Sequence, residues 1–87
     1  MLSLEDCIAL SGLTEDEILA IAQHQHIPEI AAAEMGNYLS RSVDGQLAIK
    51  SMIRDDIQAA EARGDRDRAL ALKMVLRQYV SERRGLD

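Results

Sequence analysis

Two histidines, His24 and His26, flank one glutamine just ahead of the only proline, Pro28, and Glu29 follows. Imidazole nitrogens and a carboxylate are zinc donors, so the spacing H-x-H-x-x-E offers three ligands to one ion. On a continuous helix, residues two apart point to opposite sides at about 100° per residue, so both rings reach one ion only if the chain is already extended at Gln25. A plainer chemistry accounts for the same residues. A histidine in the last turn of a helix interacts favourably with the C-terminal dipole, and a glutamate suits the first turn of the next. The expectation is a joint between two helices, with no metal and no cofactor; His24, His26 and Glu29 are the candidates should a metal be held.

The other reactive side chains are read in the same way. Cys7 falls on the inward side of a short helix, where a thiol is packing; a Cys7 nucleophile served by His24 has no supporting motif. Glu34 falls on the helical wheel between Ile27, Ile30 and Tyr38, which predicts a carboxylate that is paired, protonated or at the margin of the core, and Asp56 has a similar position further on. Arg63-Gly64-Asp65 spells a cell-adhesion tripeptide, but here the glycine reads as a helix stop and the aspartate as a helix cap. No nucleophile, base and orienting group stand in a recognisable arrangement and no Gly-rich phosphate loop exists, so no enzyme is expected.

Charge points to binding. Residues 1–40 hold seven acids and no Lys or Arg, and the remainder holds ten basic residues against eight acids, so the two parts carry −7 and +2. Arg66, Lys73, Arg77 and Arg84 recur at spacings of seven, four and seven and form one basic stripe on a helix. The acidic first forty residues are its natural complement, within the molecule or in another copy, and an unidentified acidic protein is the other expected partner. Without interleaved aromatics for base stacking, nucleic acid is the less expected partner. The stretch LEDCIALSGLTEDEILAIAQ has the spacing of a helix-turn-helix, yet its second helix would offer Glu15, Asp16 and Glu17 to a polyanion, and Ile8 stands where such motifs have a small residue.

The elements that must position these groups are helices. Apolar residues make up 47% of the chain, with two Tyr and no Trp or Phe, a composition of aliphatic helix formers. Ser3 and Asp6 resemble a capping box for a helix over about 4–11, ended by Gly12. Thr14 and Glu17 make a clearer box for a second helix burying Ile18, Ile21, Ala22 and Gln25, broken near His26. A third is predicted from Pro28 to Leu39 or Ser40 with Ile27, Ile30, Ala31, Met35 and Tyr38 inward. Ser42-Val43-Asp44-Gly45 reads as a turn, followed by a fourth helix over about 46–63 burying Ile49, Met52, Ile53, Ile57 and Ala60. A fifth starts after Gly64 with Asp65 as cap and presents Ala69, Leu72, Leu76, Tyr79, Val80 and Arg83 inward, with Leu70, Met74 and Val75 as apolar flanks. The fold class is therefore all-α, one domain over 1–87, with an acidic three-helix cluster (1–40, with a helix-turn-helix-like start) packed on an antiparallel hairpin (46–84).

The segment GLTEDEILAIAQHQHIPEIAAAEMGNYL (residues 12–39) resembles short bacterial helical proteins of unknown function. The resemblance implies a bacterial, all-helical protein and carries no activity, no catalytic residue and no ligand. With one cysteine, no apolar stretch of membrane-spanning length and acids in the first residues, the chain reads as cytoplasmic. The expected function is a non-enzymatic protein-protein interaction module, self-associating as a homodimer through the hairpin with Leu70 and Met74 at the contact. The alternatives are a nucleic-acid-associated regulator or accessory protein, and a small metal-binding protein using His24 and His26.

Overall fold

Five α-helices make up the computed structural model, which describes residues 3–83. They are α1 (Leu4–Ser11), α2 (Glu15–Gln25), α3 (Glu29–Leu39), α4 (Val43–Ala62) and α5 (Arg66–Ser81), with no strand among the described residues. Four of the five begin at a side chain that takes up a free backbone N–H. The Ser3 hydroxyl accepts from the Asp6 N–H at 3.1 Å, and the Asp6 carboxylate accepts from the Ser3 N–H at 3.3 Å. Thr14 and Glu17 reciprocate in the same manner at 3.2 and 2.8 Å. Ser42 accepts from Gly45 at 3.0 Å, and Asp65 from Arg68 at 3.1 Å. Only α3 lacks such a bond, because its cap is Pro28.

Between α2 and α3 the chain turns at His26, whose φ of 55° and ψ of 46° are left-handed. The N–H groups of His26 and Ile27 both return to the Ala22 carbonyl, which closes α2. The joint expected at the histidines is thus a left-handed corner.

Two features differ from the sequence reading. Ser42-Val43-Asp44-Gly45 is not a turn: Ser42 is the N-cap and α4 already runs from Val43. Gly45 is there for space instead of for backbone freedom, since a Cβ on it would overlap the carbonyl carbon and oxygen of Leu39. The inward face of α3 is also rotated. Ala32, Ala33 and Gly36 are buried, whereas Ile30 and Tyr38 are 41% and 66% exposed. Small residues let α3 approach α2 closely; a Cβ on Gly36 would collide with Leu13 and come within 3.2 Å of the Ile21 Cδ1. Ile27 and Met35, also read as inward, pack half-buried against the core, so the sequence reading misplaces Ile30 and Tyr38 and misses the small residues at the centre of the face.

The architecture follows from these faces. The α4/α5 hairpin has the most extensive contact, α1 and α2 both pack on α3, and α2 and α3 lie against α4, with a narrower contact between α2 and α5. Ile18 and Ile21 of α2, Ile49 and Ile53 of α4, and Leu72 and Tyr79 of α5 are fully buried in one core. Each such aliphatic burial contributes roughly 1.5–3 kcal/mol. The Tyr79 hydroxyl, at this core's edge, lies 3.2 Å from the hydroxyl of Ser40, the C-cap of α3. Because α1 packs mainly on α3, the first two helices do not form the self-contained pair of a helix-turn-helix. Among the described residues no helix is long and apolar enough to cross a membrane.

Candidate interaction surface

The side of α5 opposite its buried stripe is apolar at its centre. Leu70 and Met74, four residues apart and so one above the other, are 62% and 67% exposed. Arg66, Lys73 and Arg77 are exposed along one margin of this pair. Lys73 Nζ bonds Glu61 Oε2 at 3.2 Å, which joins that margin to α4. Arg84, the fourth member of the expected stripe, lies outside the described residues. The other margin borders a groove of about 350 Å³ between α2 and α5, walled by Asp16, Leu19 and Gln23 on one side and by Arg68, Met74 and Val75 on the other. Arg68 donates to Gln23 and closes the groove at one end. The flank whose sequence is too widely apolar for one neighbouring helix is thus outward-facing in the folded chain. Val75 alone of the three flank residues is half-buried.

The chemistry-bearing residues are dispersed. His24 is half-buried in the last turn of α2 with Nδ1 3.2 Å from Gln25 Nε2, His26 is exposed at the corner, and Glu29 opens α3. Among the described residues no three or more His, Cys, Asp and Glu side chains come together as a set that could hold a metal ion, so H-x-H-x-x-E remains a spacing. Cys7 packs at the margin of the core beside Ile8. Glu34 is exposed between Ile30 and Tyr38, because the face of α3 that holds it points outward. Asp56 is half-buried. Gly64, at φ 76°, ends α4, and Asp65 caps α5 while its carboxylate lies 3.6 Å from Arg63, so the Arg-Gly-Asp sequence is a helix junction.

One carboxylate escapes the sequence reading. As a sequence feature Glu17 is only the reciprocal half of a capping box, yet its side chain is fully buried. Its Oε1 accepts the Thr14 N–H at 2.8 Å, and its Oε2 is buried with no hydrogen-bond partner. Burial pushes this carboxyl above its ordinary value; the Thr14 hydrogen bond and the positive charge of Arg83 oppose that, and Glu82 adds to it. Arg83 closes over the same corner. Its guanidinium sits 3.7 Å from the centre of the Tyr79 ring and donates to the carbonyls of Tyr79 at 3.2 Å and Gly12 at 3.4 Å. The last turn of α5 is thereby fastened to the α1/α2 turn. The signal is present in the chain: Glu17 precedes Ile18 and lies four residues before Ile21, on the margin of the buried stripe.

Fold and surface together define a small all-α protein built on a helical hairpin whose second helix carries an exposed apolar centre. Comparison with protein-family models, with characterised proteins and with solved structures gives no match to this chain. The resemblance of residues 12–39 to short bacterial helical proteins gains no support from it.

Proposed function

We propose that this protein is a non-enzymatic, cytoplasmic interaction module that self-associates through the outward face of α5. The observation that supports the reading is the exposure of Leu70 and Met74, 62% and 67%, on a helix whose opposite side is among the most deeply buried parts of the fold. Large apolar side chains stacked at the centre of a polar-rimmed face are the anatomy of a protein contact surface. Light scattering over a dilution series tests it: the dimer mass is expected at high concentration, and Leu70→Glu with Met74→Glu is expected to leave a folded monomer at every concentration. A wild-type monomer throughout would refute the proposal.

The exposed row of Arg66, Lys73 and Arg77 favours a second reading, an accessory protein for nucleic acid. The exposed acids Glu15 and Asp16 in the first turn of α2, of which Asp16 lines the α2/α5 groove, oppose it, since they would repel phosphate. Salt-sensitive retardation of duplex DNA by the purified protein would favour this reading over self-association.

A further inference from the structure

Resting on the reading of α5 as the docking face, we infer that its occupant is a second copy of this chain whose α5 runs parallel to the first, with the molecular two-fold axis along the helix. At about 100° per residue, Leu70, Met74 and Ser81 form one outward line on α5. Arg66, Lys73 and Arg77 fall on the side toward α4, where Arg66 and Lys73 share a cavity wall with Glu61. Arg54 of α4 stands in the next cavity beside Lys73. Asp67 and Gln78 fall on the other side, toward α2, where Gln78 shares the groove with Asp16. The direction of α2 sets the level of its acids. Gln23, near its end, meets Arg68 in the first turn of α5, whereas Arg83 beyond α5 reaches the Gly12 carbonyl ahead of α2. The two helices are antiparallel, and Asp16 stands level with the C-terminal half of α5. The outward seam is therefore basic along one edge, where the acid Glu61 is already bonded to Lys73 at 3.2 Å, and acidic on balance along the other, where Asp16 and Asp67 stand with the single cation Arg68, which donates to Gln23.

The two-fold axis of a symmetric contact lies in the plane of the seam, and its two limiting directions are across α5 and along it. A two-fold axis perpendicular to α5 puts each edge against its own copy: arginine faces arginine and Asp16 faces Asp16. An axis along α5 exchanges the edges. Arg66 then faces Asp67 of the second copy, and Arg77 and Arg54 face its Asp16, while Leu70, Met74 and Ser81 each meet their own equivalents. Like charges opposed across an interface are strongly disfavoured, whereas complementary ones fix register and orientation. The dipoles of two parallel helices repel, but that effect falls off within the terminal turns and is screened by salt.

Thiol cross-linking reads the orientation directly. With Cys7→Ser as background, Ser81→Cys and Met74→Cys are made singly and oxidised mildly at a concentration where light scattering shows the dimer. Both variants are expected to become mostly covalent dimers. In an antiparallel pair centred between Leu70 and Met74, the two thiols introduced at position 81 would lie about 27 Å apart along the axis at 1.5 Å per residue, and only the position-74 variant would cross-link. That result overturns the parallel arrangement and leaves the docking face standing. A dimer mass with neither variant cross-linked removes the face, and a monomer mass removes self-association itself.

Discussion

Glu17 carries two roles that conflict. As a cap its carboxylate takes the Thr14 N–H, which favours the charged form, but the side chain is fully buried and one oxygen has no partner, which favours the neutral form. Burial is the larger influence, so the folded-state value lies above the unfolded one, taken as the ordinary 4.5. The sign follows from linkage: the contribution of Glu17 is fully present below the unfolded value and is lost as pH rises through the folded one. A glutamine in its place, with no charge to bury and the same acceptor for Thr14, does not suffer that loss. Urea denaturation of wild type and Glu17→Gln from pH 4 to pH 8 is expected to show the variant gaining on the wild type as pH rises, with a plateau above the folded value. A difference that is flat, or that grows as pH falls, would contradict this account. The two histidines first suggest chemistry, and the folded chain uses one of them as a corner; the buried ionisable group is instead hidden inside a recognised cap motif.

Elements are legible where their determinants are local. Ser3 with Asp6, Thr14 with Glu17, and Asp65 all cap helices as their spacing predicts, because a cap needs only residues within one turn. The apolar faces of α4 and α5 are legible too, being made of Ile, Leu and Tyr at helical spacing. The face of α3 is not, since Ala32, Ala33 and Gly36 are chosen by how closely another helix approaches, and that distance is not written in α3 itself. The start of α4 is missed for a related reason: Gly45 resembles a turn residue until the Leu39 carbonyl is seen against it. This yields a prediction with an unusual sign. In an exposed helix, Gly→Ala stabilises by about 1 kcal/mol. Gly45→Ala is expected to destabilise, by roughly 1–3 kcal/mol from overpacking against the α3 backbone, with the urea midpoint as readout. Ser51→Ala on the exposed side of the same helix serves as a control and is expected to be neutral or slightly stabilising. A stabilised Gly45→Ala would mean that α3 and α4 do not meet as closely as described.

For the whole molecule, shape and charge act on different quantities. The fold is a slab of 41 × 28 × 16 Å between Cα atoms, so thin that an element such as α5 is wrapped on its inner side only. The outer side is left uncovered, and its size bounds the affinity of the proposed dimer. Leu70 and Met74 are about two-thirds exposed, so each can gain about 1–2 kcal/mol on burial, or about 4–8 kcal/mol for the four side chains of a symmetric pair. Even with no cost of association, about 8 kcal/mol corresponds to a dissociation constant near 1 μM. Exposed ion pairs add only about 0–1 kcal/mol each, so the opposed edges select orientation without supplying tightness. The proposed dimer is therefore expected to be weak and concentration-dependent. Analytical ultracentrifugation is expected to find the monomer–dimer midpoint above about 1 μM, and raising salt from 0.1 to 0.5 M is expected to move it by less than about tenfold, because only the exposed pairs are screened. A nanomolar dimer would place additional buried surface outside α5, and a midpoint that shifts by orders of magnitude with salt would make charge, not Leu70 and Met74, the force that holds the two copies together.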